Sequence, residues 1–313
     1  MHHAQNHMRG LLWMTLAVLT IPASDAIAKI LSESLSVTQI ATTRFVIAAG
    51  LLFPLWLFWR QKGIWLQGLT QADWALGGLI AASILFLFWG LSHLPLANNI
   101  AIFFVEPLIL VVFSRLFLRE TISRKRWLAV IVGLMGAMIV IRPNLQAYGW
   151  ATLLPLLAAT AYAGYLTLTR VRAAGTDPKD WQNGANGLQK AVRLQLMVSI
   201  CASVLLTGLM VIGQWSPGPL TQIAWPTFEA WAGLLLLGFL AAFAHVLIAI
   251  AMSQTDASVL APLQYLEILG AVIFGWWLFG HWPDTLTWLG MGIIIAAGLY
   301  VVTEKPSPPL IED

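Results

Sequence analysis

Charge-free length constrains this chain most. Ala230 to Thr255 contains no Asp, Glu, Lys or Arg, and Ala257 to Leu266 forms a second such window. A bilayer core of ~30 Å is crossed by a helix of about 20 mostly apolar residues, so runs of this kind read as membrane spans. The composition agrees. The chain is 59% hydrophobic and 10% charged, against roughly 45–50% apolar and ~25% charged in a soluble domain. Ten spans use about 200 of the residues and leave roughly ten for each flanking segment, too few for a soluble catalytic domain. The net charge of +3 is too small to suggest nucleic acid, and the lone Cys201 excludes an internal disulfide or a CxxC metal or redox site.

Hydropathy with turn punctuation predicts an all-α membrane protein with spans at 10–31, 37–60, 72–92, 95–118, 124–141, 149–170, 188–213, 228–252, 257–280 and 283–303. Pro95 opens the fourth, Arg142-Pro143-Asn144 follows the fifth, and Pro283 opens the tenth. A longer hydrophilic connection, Arg172 to Gln189, separates two sets of five spans, giving repeats at 1–147 and 148–313. With the N terminus cytoplasmic, the inner segments hold Arg9, Arg60, Lys62, Arg119, Arg124, Lys125, Arg126, Arg170, Arg172, Lys179, Lys190, Arg193 and Lys305. The outer ones hold Arg142, with Lys29 at their edge, so the positive-inside rule puts both termini inside. Reading the first span as a cleaved leader ending near Pro22-Ala23-Ser24 would leave nine spans and discard Asp25 and Lys29; a retained helix is the expectation.

A register of 161 residues superposes Glu106 on Glu267, Trp127 on Trp288 and Phe113 on Phe274. Because each half has an odd number of spans, equivalent helices run in opposite directions. This predicts an inverted repeat, the plan of many secondary transporters, with a midplane site between the halves.

Two stretches carry a family resemblance. LPLANNIAIFFVEPLILVVFSRLFLRETISRKRWLAVIVGLMGAMIVIRP from Leu94 resembles the fourth and fifth helices of the EamA family of the drug/metabolite transporter superfamily. ASVLAPLQYLEILGAVIFGWWLFGHWPDTLTWLGMGIIIAAGLYVV from Ala257 resembles the ninth and tenth. The resemblance implies a ten-helix secondary carrier of small organic solutes in the bacterial inner membrane. Asp25-Ala26-Ile27-Ala28-Lys29 and Gln264-Tyr265-Leu266-Glu267 are similar to members assigned as riboflavin or S-adenosylmethionine carriers. Gly280-His281 departs from the family's usual Gly-Glu at the end of the ninth helix.

Glu106 and Glu267 lie 11 and 10 residues into their spans, ~15–17 Å deep at 1.5 Å per residue. An ionised carboxylate there costs several kcal/mol unless it faces water or a partner, so such acids point to function. A hydrogen bond to a neighbouring helix is the structural alternative, and for Glu106 so is an ion pair with Arg44. Asp25 and Lys29 are spaced i,i+4 and can pair, as a gate or as structure. Asn98, Asn99, Gln264 and Tyr265 lie within about two turns of the glutamates and can line the same cavity. His245 has no companions at metal-ligand spacing, so it reads as a core or cavity-lining hydrogen bonder. Among the 16 Trp residues most have belt positions. Trp89, Phe103, Tyr162 and Tyr165 are deeper and can stack on a planar or cationic solute, or simply pack the core. Gly133, Gly136, Gly290, Gly292 and Gly298 fit close helix packing.

No GxxxxGK[ST] loop is present, so this chain alone does not use ATP. The expected function is gradient- or proton-driven carriage of a small vitamin-like, nucleoside-like or amino-acid-like metabolite. An exporter of amino-acid-like metabolites or drugs is the alternative within transport. A membrane enzyme on lipid-linked substrates is the alternative outside it, and the short loops poor in acids and His speak against that. No metal, cofactor or partner protein is required; the expected partners are the bilayer and a small-molecule substrate.

Overall fold

The computed structural model describes residues 2–58, 69–117, 124–174, 184–215, 220–254, 263–264 and 266–303. All the regular elements among them are helical: α1 (His2–Leu31), α2 (Val37–Phe58), α3 (Gln71–Leu91), α4 (Leu96–Phe103), α5 (Glu106–Phe117), α6 (Arg124–Tyr148), α7 (Leu154–Ala174), α8 (Gly184–Gly213), α9 (Phe228–Gln254), α10 (Leu266–Phe279) and α11 (Thr285–Thr303), with a 3-10 turn at Gly149–Leu153. Among the described residues seven segments are long and apolar enough to cross a bilayer, counting Leu96–Phe117 as one; shorter apolar helices occupy Trp127–Ile141, Leu266–Phe279 and Thr285–Ala297.

Local chemistry sets the helix ends. Thr70 and Asp73 start α3 with reciprocal bonds, Asp73 Oδ2 accepting from the Thr70 N–H at 2.9 Å and Thr70 Oγ1 from the Asp73 N–H at 3.3 Å. Asp284 caps α11 by accepting the Thr287 N–H at 2.7 Å. Gly280, at φ +65°, turns the chain out of α10, a conformation that L side chains resist.

Several boundaries differ from the sequence-based expectation. The fourth span is not one helix: it turns at Phe104–Val105 and restarts at Glu106. Pro107 explains the break, because it has no N–H to offer the carbonyl of Phe103. The fifth helix runs past Pro143 to Tyr148 and stops at Gly149, φ +62°. A proline removes one helical bond, whereas a left-handed glycine redirects the backbone. The connection expected over Arg172 to Gln189 is shortened by helix at both ends, from α7 to Ala174 and from α8 at Gly184, and the remainder lies outside the described residues.

The hub is α4, whose eight residues are all buried. Around it, α1 packs along α9 and α10, α2 along α8 and α9, α3 against α7 and α8, and α6 along α11. The outward face of α6 presents Leu128, Ile131, Met135 and Met138, each more than half exposed, a surface suited to lipid and not to water. Helices α6 and α11 meet through glycine: a Cβ on Gly290 would stand 2.7 Å from Gly136 O. The same test at Gly292 meets nothing within 4 Å, so Gly292 does not hold a close crossing. Gly290→Ala is therefore expected to lower the thermal unfolding midpoint in detergent, with an overpacking cost of about 1–3 kcal/mol, while Gly292→Ala leaves it unchanged.

Candidate functional site

A narrow cavity runs along α1 from Asp25 towards Met14, bounded by α2, α3, the α4–α5 break, α7, α9 and the start of α10. Its polar lining is Ser24 and Asp25 from α1, Arg44 from α2, Ser83 from α3, Glu106, Tyr162 from α7, His245 from α9, Gln264 and Glu267. Apolar walls come from Met14, Val18 and Ile21 on one side and Leu240, Ala244 and Ile248 on the other. Both glutamates open helices, Glu106 at the first residue of α5 and Glu267 at the second of α10. There the free N–H groups and positive dipole end favour an acidic side chain.

Asp25, Arg44, Glu106, His245 and Glu267 are all buried. Buried polar atoms are as a rule hydrogen-bonded, yet Asp25 Oδ2, Arg44 Nε and Nη1, Ser83 Oγ and Glu106 Oε1 have no partner among the described residues. The Arg44–Glu106 ion pair allowed by the sequence is thus not made. Instead the Arg44 guanidinium lies 5.2 Å from the Phe45 ring centroid and 5.7 Å from that of Phe88, held by ring faces. Glu267 is within electrostatic reach of Asp25 and Glu106, and Asp25 within reach of Arg44. Arg44 therefore lines a cavity shared by both halves, and Asp25 is the acid it reaches.

His245 Nδ1 is 2.9 Å from Ala241 O. A carbonyl only accepts, so Nδ1 carries a proton, and in the neutral ring this leaves Nε2 as an acceptor. Tyr162 extends an aromatic wall, with ring centroids 5.7 Å from Phe103 on one side and 5.7 Å from Tyr165 on the other. Tyr165 stands behind Tyr162, outside the lining.

Other sequence candidates are placed elsewhere. Asn99 is fully buried and donates through Nδ2 to Leu87 O at 3.2 Å, tying α4 to α3. Asn98 is buried on the same helix and does not line the cavity. Trp89 packs edge-on against Trp150, centroids 5.2 Å apart, also away from it. Tyr265 lies outside the described residues. The Asp25–Lys29 pair is not formed, because Lys29 Nζ donates instead to Leu91 O and Leu94 O. Ser24 and Ser83 escaped the sequence reading. Their one signal is a small polar residue in an apolar run, which most often only bonds back to its own helix.

Comparison with known proteins decides the family. The model of the EamA-like transporter family matches residues 8–142 and again 149–303. The chain belongs to this family. Among its relatives, a riboflavin transporter from Rhizobium johnstonii is 26% identical over 299 residues, covering 95% of this chain and 91% of that one. An S-adenosylmethionine uptake transporter from Rickettsia bellii is 26% identical, covering 94% and 93%. A pseudopaline exporter from Pseudomonas aeruginosa is 26% identical, covering 92% and 94%. This EamA-like protein is accordingly a multi-pass membrane protein and a metabolite transporter.

Proposed function

We propose that this protein is a secondary carrier of the bacterial inner membrane. It moves a small hydrogen-bonding metabolite through the Asp25–Arg44–Glu106–Glu267 cavity by alternating access of two inverted five-helix repeats. The observation that carries this reading is the convergence of three acids and one arginine, from both halves of the chain, on one cavity with unpartnered polar atoms.

Paired packing supports the repeat. When each half's spans are matched in order, α1 on α9 corresponds to α3 on α7, α3 on α8 to α9 on α2, and α1 on α10 to α7 on the α4–α5 pair. Contacts of α2 with α8, α6 with α11 and α4 with α10 are their own counterparts. Gly77 and Gly238 stand in the 161-residue register and occupy equivalent crossings. A Cβ on Gly77 would meet Cys201 and Ala202 of α8, and one on Gly238 would meet Ile47 and Arg44 O of α2. The two family matches fall on the same division. With both termini inside on the charge asymmetry, the cavity runs towards the cytoplasmic end of α1.

The lining suits a flat or zwitterionic solute with donors for the acids and acceptors for Arg44 and Ser83. Flavins and sulfonium amino acids, the cargoes in two relatives' names, have that chemistry. An exporter of an amino-acid-like metabolite is the second reading, favoured by the Pseudomonas relative's name. Counterflow in proteoliposomes tests both: labelled riboflavin or S-adenosylmethionine should accumulate against unlabelled solute inside, and an amino-acid-like metabolite should do so if the second reading holds. Preference for a multiply phosphorylated solute over all neutral and cationic ones would refute the assigned chemistry.

A further inference from the structure

Lys29 joins three elements at the end of the molecule that the cavity does not reach. Its Nζ donates to Leu91 O and to Leu94 O, both at 2.7 Å, and stands 5.5 Å from the Phe279 ring centroid. Leu91 closes α3, Leu94 leads into α4, and Phe279 closes α10. Carbonyls at a helix C-terminus lack intrahelical donors and carry the negative end of the dipole, so an ammonium is held there by charge as well as by hydrogen bonds.

A lysine that merely snorkels keeps its head in water. Lys29 does otherwise. Two acids lie one turn away on its own side of the chain, Asp25 before it and Glu33 after it, at spacings suited to pairing. Its ammonium hydrogen-bonds to neither of them but to carbonyls of other elements, with Glu33 within electrostatic reach. Because α10 belongs to the second half and α1, α3 and α4 to the first, the contact bridges the halves. The cavity extends from Asp25 towards Met14, while Lys29 lies one turn beyond Asp25 in the opposite direction. A solute entering from that end requires α1, the α3–α4 corner and α10 to separate around Lys29.

We infer that Lys29 is a latch: bound to the α3–α4 corner it holds this end of the pathway shut, and its release exposes the cavity to the side opposite the N terminus. The inference rests on the alternating-access reading above. Lys29 touches no solute and acts as a positioning residue. Asp25 couples it to the cargo, since solute or proton captured at Asp25 acts on the turn of α1 that carries the latch.

The test uses the full chain with Ser83→Cys as a cavity reporter in a Cys201→Ser background. A membrane-impermeant maleimide is applied to right-side-out and inside-out vesicles. In Lys29→Met, which keeps the apolar stem, labelling from the side opposite the N terminus should rise about tenfold and labelling from the other side should fall, as when a lost charge-assisted contact shifts a two-state equilibrium. Lys29→Arg, which keeps cation and donors, should stay near the parent. Should Lys29→Met fold poorly, Phe279→Leu removes only the ring beneath the ammonium and must shift labelling in the same direction. Parental rates from both sides in these variants would overturn the latch and leave the carrier reading standing. A reporter reachable from one side only, in parent and variants alike, would overturn alternating access and the latch with it.

Discussion

Glu267→Gln is expected to fold, to exchange solute across proteoliposome membranes at near-parental rates, and to lose all response of net transport to a pH gradient. With three carboxylates and one guanidinium ionised and His245 neutral, the cavity would hold an excess of two negative charges, in surroundings where an uncompensated ion costs several kcal/mol. A bound proton or a cationic group of the solute relieves that excess, and exchange between the two is coupling. Glu267 is the first choice for the proton because it lies among acids, within reach of Asp25 and Glu106. Asp25 is the acid that has Arg44 within reach. One proton per solute supports about tenfold accumulation for each pH unit of gradient, 1.4 kcal/mol being a factor of ten. Glutamine keeps the size and hydrogen bonding of the protonated acid and removes only the ability to release it. If Glu267→Gln still concentrates solute with the parental pH profile, Glu267 is structural, and Glu106→Gln becomes the next variant to measure.

Much of the architecture was legible because the bilayer demands it. A lipid-crossing helix needs a long apolar run, and each of the ten runs read from hydropathy overlaps a helix once the α4–α5 pair is counted together, seven of the described segments being long and apolar enough to cross a bilayer. The glutamates were legible for a related reason, since an acid in such a run is expensive enough to require an explanation. What escaped was whatever depends on contacts between helices. Hydropathy does not distinguish a proline that a helix passes, Pro143, from one beside which it breaks, Pro107. Arg44 was matched with Glu106 because both lie in the first half, yet packing of α1 against α9 and α10 brings Glu267 and His245 to the same cavity. The acceptors of Lys29 are backbone carbonyls, which every residue possesses, so no pattern of side chains could have singled out Leu91 and Leu94.

Arg44 supplies the second large effect. Arg44→Met is expected to reduce solute exchange by at least about a hundredfold, the loss of one or more charge-assisted contacts worth roughly 1.5–3 kcal/mol each, and to lower thermal stability. Among the described residues lining the cavity it is the only lysine or arginine. Stripping the partner from a directly bonded buried charge pair costs about 3–5 kcal/mol. With Nε and Nη1 unbonded in this structure, the stability loss belongs at the lower end, about 3 kcal/mol. Adding Asp25→Asn removes an acid that Arg44 balances, so the double variant should regain most of the stability while exchange stays low. Arg44→Lys separates charge from shape. It restores a cation and hence the fold, but a compact, strongly hydrated ammonium neither spreads over the faces of Phe45 and Phe88 nor offers the planar set of donors, so exchange should remain at least about tenfold below the parent. Parental exchange in Arg44→Met would mean that solute crosses by another route. A double variant less stable than Arg44→Met would show that Asp25 is balanced by something other than Arg44.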